Sequence, residues 1–300
     1  MAVINKILLE LNNRGFSVAN PHYMFHNLSN VSYQIVFDGK DAVLKVFLAG
    51  PDPGTALEKE IRGLKIAKAI SIPAPEIYFR SDSKNLLYVV RQFIGGESVT
   101  GLCQRLKEHK LDIIEASGKM LATLHSAQTE AFKTEEECIQ NAYAHLKNRE
   151  KETRTLALQS GNKELCTLIE KFFPYFNQQY ALEDTMCFVH GDYKFSNILT
   201  DGTAIVGLID WEHSGYGLAM EDVGRACVFP AEVVTAFLKG YNAKSRTAYS
   251  DIVLLKDLFY VRTAAEFFAK KHLPTLNPKR VAEFESHLNH VLTELLIRYR

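Results

Sequence analysis

The chain has no excess of either charge: 35 Lys and Arg stand against 35 Asp and Glu. A basic surface is the usual footprint of a nucleic-acid binder, so the balance argues against that class while leaving room for a local charged cleft. Long apolar runs are also missing, none approaching the ~18 residues of a membrane span, so no membrane partner is expected. The start, Met1-Ala2-Val3-Ile4-Asn5-Lys6, has no basic region ahead of its short apolar stretch, and Glu10 interrupts that stretch. A secretory leader is therefore not expected. Cysteine is sparse, an odd five with no C-x-x-C spacing. Cys103, Cys138, Cys166, Cys187 and Cys227 read as reduced packing residues of a cytoplasmic protein. No internal repeat and no low-complexity segment is present.

What is there is globular. The 300 residues are 47% apolar and 23% charged, enough for one large domain or about two of ordinary size. Val3, Ile4, Ile7, Leu8 and Leu11 repeat at helical spacing, and Gly15 follows as a stop. Runs at 31–37 and 42–47 flank Asp38-Gly39 and read as a hairpin. A breaker-rich loop at 50–54 precedes a helix over 55–70, which Pro73 and Pro75 end. Strands are expected at 76–80 and 86–93. Beyond Gly95-Gly96 the pattern turns helical, at 111–125, through 132–181, and from 251 with breaks at Pro274 and Pro278. One β-rich island interrupts it, at 187–190, 197–200 and 203–209. The double glycine is the expected boundary between residues 1–95 and 96–300.

That island holds the most informative words in the chain: Val189-His190-Gly191-Asp192-Tyr193-Lys194-Phe195-Ser196-Asn197, then Val206-Gly207-Leu208-Ile209-Asp210-Trp211-Glu212. Taken singly, Asp192 and Asn197 are ordinary turn residues and Asp210 a strand-end cap. Their joint order is different. Phosphoryl transfer needs a carboxylate to accept the proton of an attacking hydroxyl, oxygen ligands for Mg²⁺, and cations along the phosphates. H-x-D-x-x-x-x-N followed by an apolar strand ending in Asp matches the catalytic-loop and metal-Asp pattern of kinases. Asp192 is then the expected base, and Asn197 and Asp210 the expected metal ligands.

The segment from His190 to Leu199 and the run Ile209-Asp210-Trp211-Glu212 resemble the aminoglycoside phosphotransferase and choline kinase-like superfamily. Leu121-Ala122-Thr123-Leu124-His125, Ser71-Ile72-Pro73-Ala74-Pro75 and the stretch from Gly217 to Arg225 with Asp222 are similar to that family in their order. The resemblance runs from about residue 25 to 230. It implies an α+β, protein kinase-like fold of two lobes, with a small N-terminal antiparallel sheet plus helix and a larger, mainly helical C-lobe. It also implies ATP, or GTP in its place, and Mg²⁺ as cofactors, a small hydroxylated molecule as substrate, and a monomer or homodimer.

In the first lobe a kinase needs a strand Lys for the α- and β-phosphates and a helix Glu to fix it. Lys45 sits between Leu44 and Val46; it either serves phosphate or points to the solvated side of an edge strand. Glu60 and Glu58 share the following helix, and the family pattern of Glu four residues before Leu fits Glu60 with Leu64. The phosphate loop, Asn27-Leu28-Ser29-Asn30, has no glycine; Ser29 and Asn30 are its candidate donors, or plain turn residues. The resemblance makes Gln92 to Ile94 the hinge whose backbone meets adenine. Lys194 either contacts the transferring phosphate or is a solvated loop Lys. His190 and Trp211 read as packing residues.

The expected function is an ATP- and Mg²⁺-dependent kinase of a small-molecule hydroxyl, aminoglycoside-type antibiotic or similar, through His-Gly-Asp. The alternative is a metabolite kinase of choline, ethanolamine, thiamine, homoserine or methylthioribose type. A protein kinase fits less well, because no Phe-Gly follows Asp210 and no Ala-Pro-Glu is found. A non-catalytic module would have lost Lys45, Asp192 or Asp210. A polycationic substrate would want an acidic cleft, for which Glu212, Glu221, Asp222, Glu266, Glu283 and Glu285 are the available residues; Asp222 could instead anchor its loop.

Overall fold

A computed structural model of the chain describes residues 2–26, 30–48, 53–81, 83, 86–127, 135–179, 186–245, 251–271 and 278–300. The elements begin with α1 (Ala2–Asn13), β1 (Val18–His26), β2 (Asn30–Phe37), β3 (Lys40–Phe47), α2 (Pro53–Ala69), β4 (Ile77–Arg80), β5 (Leu87–Gln92), β6 (Glu97–Ser98) and α3 (Val99–Leu106). They continue with α4 (Leu111–His125), α5 (Glu135–Ser160), α6 (Lys163–Gln179), β7 (Met186–Val189), β8 (Ile198–Thr200) and β9 (Ile205–Leu208). The last are β10 (Gly215–Leu218), α7 (Ala219–Ala226), α8 (Ala231–Asn242), α9 (Ile252–Lys270) and α10 (Pro278–Arg298). This is the α+β division expected, an antiparallel sheet with its helices and a mainly helical remainder.

Two compact units result. The first is Met1–Ile113 with Phe195–Gly215, and the second is Ile114–Lys194 with Tyr216–Arg300. The first unit thus extends past the double glycine expected as its boundary. Gly96 is not a spacer: at φ +124° a Cβ there would lie 2.6 Å from the Thr200 carbonyl oxygen. The glycine lets the chain close on β8, where Glu97 pairs with Thr200, and β8 pairs in turn with β9.

The five-stranded sheet runs β1-β2-β3-β5-β4. Asp38 (φ 46°) and Gly39 (φ 76°) are both left-handed, as the two-residue turn between Phe37 and Lys40 requires. β1 was not legible in the sequence. Asn20 at φ 52° and Pro21 break its pattern, and its pairing with β2 slips twice, behaviour tolerated at a sheet edge.

Strand parity sorts the sheet. Ile35, Phe37, Ala42, Leu44, Val46, Tyr88 and Val90 point one way and pack with Ile4, Ile7 and Leu11 of α1. Phe47 and Val89 pack the other way, on Leu57 and Ile61 of α2. Alternation therefore puts Lys45 and Arg91 on the α2 side.

In the second unit α4 and α8 approach unusually closely. A Cβ on Gly118 would sit 2.1 Å from the Phe237 carbonyl oxygen, and one on Gly240 2.0 Å from that of Glu115. Pro278 opens α10 rather than breaking a helix, a position where its missing N–H costs no intrahelical bond; Pro274 lies outside the described residues. Cys187 and Cys227 are buried, Cys103 and Cys166 half-buried, and none of these four is in a disulfide. Burial pushes the Cys227 thiol up to about 12, which suits packing and not reactivity. Among the described residues no helix is long and apolar enough to cross a membrane.

Gly118→Ala is expected to cost about 1–3 kcal/mol through overpacking against backbone that cannot yield. A thermal melt should show Tm lower by several degrees; an unchanged Tm would mean the two helices can separate freely.

Candidate functional site

Lys45 is fully buried. The bland alternative, an edge strand facing solvent, does not hold, because β3 lies between β2 and β5. An ammonium there needs counter-charge, and three carboxylates provide it. Its Nζ lies 3.2 Å from Glu60 Oε2, 2.6 Å from Asp210 Oδ1 and 3.0 Å from Glu212 Oε2. Burial pulls the Lys45 ammonium down, but Glu60, Asp210 and Glu212 outweigh it and raise it above the ordinary lysine value. Glu60 is shared: Arg91 donates to its other oxygen at 2.5 Å. Glu58, the competing choice, instead meets Arg80 on the exposed side. Arg91 was missed in the sequence, although it carries the same signal as Lys45, a cation inside an apolar strand run.

The two other residues gathered in this unit are Asn197 and Asp210. Ile198 of β8 faces Leu208 of β9, and the Ile209 N–H donates to the Asn197 carbonyl at 3.0 Å, so the register sets 197 beside 209–210. Asp210 turns into the left-handed region, φ 71°, an uncommon conformation for a non-glycine residue. The turn after it is pinned on α2. Gly63 leaves room for Trp211, whose ring would lie 2.7 Å from a Cβ there. The Ser214 hydroxyl donates to the Lys59 carbonyl, and Trp211 Nε1 donates to the Leu208 carbonyl. Trp211 is a packing residue, fully buried.

Asp192 and Lys194 belong to the second unit. Their loop hangs from Asp222, whose carboxylate accepts from the backbone N–H of His190 at 2.7 Å and of Gly191 at 2.9 Å. His125 Nε2 lies 3.2 Å from the same carboxylate, and its Nδ1 lies 2.9 Å from the Tyr241 hydroxyl. Burial pushes the Asp222 carboxyl up, and these hydrogen bonds hold it below the usual carboxylate range. Asp222 is thus the loop anchor, not a cleft carboxylate. Asp192 itself lies 2.6 Å from Lys194 Nζ and 3.0 Å from Arg225 Nη1. His190 is buried and meets the Tyr193 ring edge-on.

The remaining candidates differ. Ser29 lies outside the described residues. Asn30 is buried, and its side-chain amide donates to Glu212 at 2.6 Å, so it braces the carboxylate group around Lys45. Gln92 commits its N–H to the Glu76 carbonyl at 2.7 Å. Ile94 packs its side chain on Gly207 of β9. A groove of about 730 Å³ along α2, lined by Ile61, Leu64, Lys68, Pro73 and Pro75, contains none of the predicted site residues.

A further charge cluster lies in the second unit. Glu221 on α7 is met by Arg262 at 2.8 Å, Arg149 at 3.1 Å and His145 at 3.4 Å. Burial pushes its carboxyl up, but these cations win and hold it at about 2.

Residues 26–252 match the profile of the family described as "Phosphotransferase enzyme family". The probable acyl-CoA dehydrogenase IBR3 of Arabidopsis thaliana is 23% identical over 222 residues, 68% of this chain. The chain spans about a quarter of that relative's length, 27%. The streptomycin-ATP-APH(2")-IIa ternary complex superposes with a TM-score of 0.68 at 16% identity, covering 97% of each chain. Macrolide 2'-phosphotransferase MphH from Brachybacterium faecium gives 0.65 at 13% identity, covering 97% of this chain and 98% of that one. These two likenesses show the fold.

Glu221 carries a pH signature. Its folded value lies below the unfolded 4.5, so its stabilisation is present above pH 4.5 and lost as pH falls toward about 2. The amount is on the order of 3 kcal/mol. Glu221→Gln should melt lower than the parent at neutral pH, and the gap should close between pH 4.5 and 2; a gap independent of pH would exclude this origin.

Proposed function

The chain belongs to the phosphotransferase enzyme family, and on that premise we propose that it is an ATP- and Mg²⁺-dependent kinase of a small-molecule hydroxyl, with GTP the alternative nucleotide. The observation that carries this reading is the buried Lys45 held by Glu60 and Asp210. An ammonium kept charged away from water is suited to phosphate and is costly for any purely structural purpose.

The roles follow from the chemistry of each group. The acceptor hydroxyl gives its proton to an Asp192 oxygen as its own oxygen attacks the γ-phosphorus. The bond from that phosphorus to the β,γ-bridging oxygen breaks, and ADP leaves with the electron pair. Lys45 holds the α- and β-phosphates, and Glu60, steadied by Arg91, holds Lys45. Lys194 contacts the group in transfer. Backbone of Gln92 to Ile94 meets the base, the carbonyl of Gln92 being its contribution because its N–H is engaged.

One carboxylate and one amide, Asp210 and Asn197, are the expected Mg²⁺ ligands. Such a pair fits an ion that keeps waters and takes phosphate oxygens for the rest of its shell. No cluster of three or more His, Cys, Asp or Glu among the described residues forms a cage, and none is needed for this mode. When bound, Mg²⁺ supplies charge neutralisation along the phosphates.

The first unit would serve the nucleotide and the second the acceptor, in a cytoplasmic monomer or homodimer that acts on neither nucleic acid nor membrane. Between an aminoglycoside-type acceptor and a metabolite, the metabolite reading has the better support. Glu221 and Asp222, the acids of the α7 helix that anchors the Asp192 loop, are already bound to Arg262 and His125, which leaves those two carboxylates poorly placed to receive a polycation.

Asp192→Asn should lower phosphoester formation about 10²–10⁴-fold with Tm within a few degrees of the parent, read by mass spectrometry of the product. Undiminished turnover would remove Asp192 from the mechanism. Mg²⁺-ATP should raise Tm by mass action, and Lys45→Ala should shrink that rise; no rise in the parent at millimolar nucleotide would overturn the kinase reading.

A further inference from the structure

The side chains around Asp192 in the second unit are arranged by sign. Arg225 reaches Asp192 Oδ1 with Nη1 and the Gly191 carbonyl with Nη2, at 3.0 and 3.1 Å. Its guanidinium lies over the Phe259 ring, 5.7 Å from its centre. Arg262 stands one turn further along α9 from Phe259, and Arg149 of α5 shares Glu221 with it. Lys194 flanks Asp192 on the other oxygen.

Within the two ion pairs nearest Asp192 the guanidinium is the more exposed partner. Arg225 and Arg262 are 32% and 31% exposed, whereas Asp192 and Glu221 are 12% and 10%. Glu266, which is exposed, is neutralised by Lys270 and lies within electrostatic reach of Arg262 and Arg225. Asp222 is fully buried beneath the loop. Beside Asp192 the more exposed groups are therefore the Arg225 guanidinium and the Lys194 ammonium, while Glu221 is largely covered and Asp222 buried.

Resting on the kinase reading above, we infer that the acceptor is an alcohol bearing an oxyanion, a carboxylate or a phosphate, and that Arg225, backed by Arg262, holds that oxyanion beside Asp192. Guanidinium presents five N–H donors in a planar fork, and carboxylate and phosphate are the groups that match it in pairs. Because Arg225 lies 3.0 Å from the base, a hydroxyl on Asp192 and an oxyanion on Arg225 are separated by at most three hydrogen-bond lengths, under about 9 Å. A short hydroxy acid or a glycerol phosphate fits within that reach. The same site repels choline and polyamines, which bring like charge against Arg225. Transfer is otherwise unchanged: the hydroxyl oxygen gains the γ-phosphoryl group, its proton goes to Asp192, and ADP leaves.

The test measures phosphoester formation from Mg²⁺-ATP with β-hydroxybutyrate, glycerol phosphate, butanediol, choline and kanamycin. The carboxylate and phosphate arms separate the two oxyanion sources. At least one anionic acceptor should exceed choline and kanamycin in kcat/KM by about tenfold or more, the size of one charge-assisted hydrogen bond. Arg225→Gln should raise KM for that acceptor by a similar factor and KM for butanediol by much less, whatever common change in kcat follows from its contact with Asp192; a role confined to orienting Asp192 would move both acceptors alike, in kcat. Should Arg225→Gln fail to fold, Arg262→Gln is the second variant, with the same split expected. Turnover of choline or kanamycin at equal or better kcat/KM overturns the inference and leaves the kinase reading standing. So does a protein that Mg²⁺-ATP stabilises but that no anionic acceptor stabilises or consumes. Absence of any Mg²⁺-ATP thermal shift brings down the kinase reading, and this inference with it.

Discussion

One buried ammonium organises the first unit. Taking Lys45 out of water is tolerable only because carboxylates come to it from separate parts of the chain. Glu60 arrives on α2, and Asp210 and Glu212 arrive on the turn after β9. Each arrival imposes a packing demand. The helix must lie on the Lys45 side of the sheet, which strand parity arranges. The turn must press against that helix, which Gly63 permits by making room for Trp211. The hairpin of β8 and β9 must reach the first unit, which Gly96 permits by closing on Thr200. Remove the counter-charge requirement and these contacts lose their common reason.

The second unit solves a different problem, that of keeping a loop still without regular hydrogen bonding. Asp222 does so with one carboxylate that takes two successive backbone N–H groups, while His125 and Tyr241 complete the buried chain behind it. A buried network of this kind is secure only when its members are paired. Asp192 is consequently presented by backbone geometry, and its two oxygens are left to cations, Lys194 and Arg225.

Local chemistry was readable and long-range chemistry was not. Asp38-Gly39 announced its hairpin because the turn demands two left-handed residues. The helix at 111–125 was exact to the residue because its apolar period is unbroken. Asp192, Asn197 and Asp210 stood out because their order and spacing match a known pattern, and Lys45 because a cation interrupts an apolar strand run. Arg91 escaped because a strand cation has meaning only once its register opposite β3 is known. Glu212 was noticed as an acid, but its partners lie 167 and 182 positions away, at Lys45 and Asn30. The double glycine misled, because a glycine that allows a close approach has the same letter as one that ends a domain. Charge told the least: a net of zero concealed the buried cluster of Lys45, Arg91, Glu60 and Glu212.

The interruption of the first unit by the second has a bearing on how the chain is made. Residues Phe195–Gly215 belong with Met1–Ile113, yet a ribosome delivers them only after the 81 residues from Ile114 to Lys194 have emerged. During that interval the sheet and α2 exist without the turn that carries Asp210 and Glu212. Lys45 then has Glu60 but not its full complement of charge, and the surface meant for Trp211 is open. Domains generally fold as units as they leave the ribosome, and here the N-terminal unit has to wait. The segment that completes its chemistry is also its last structural part to be synthesised, so this unit cannot be finished before the site it carries.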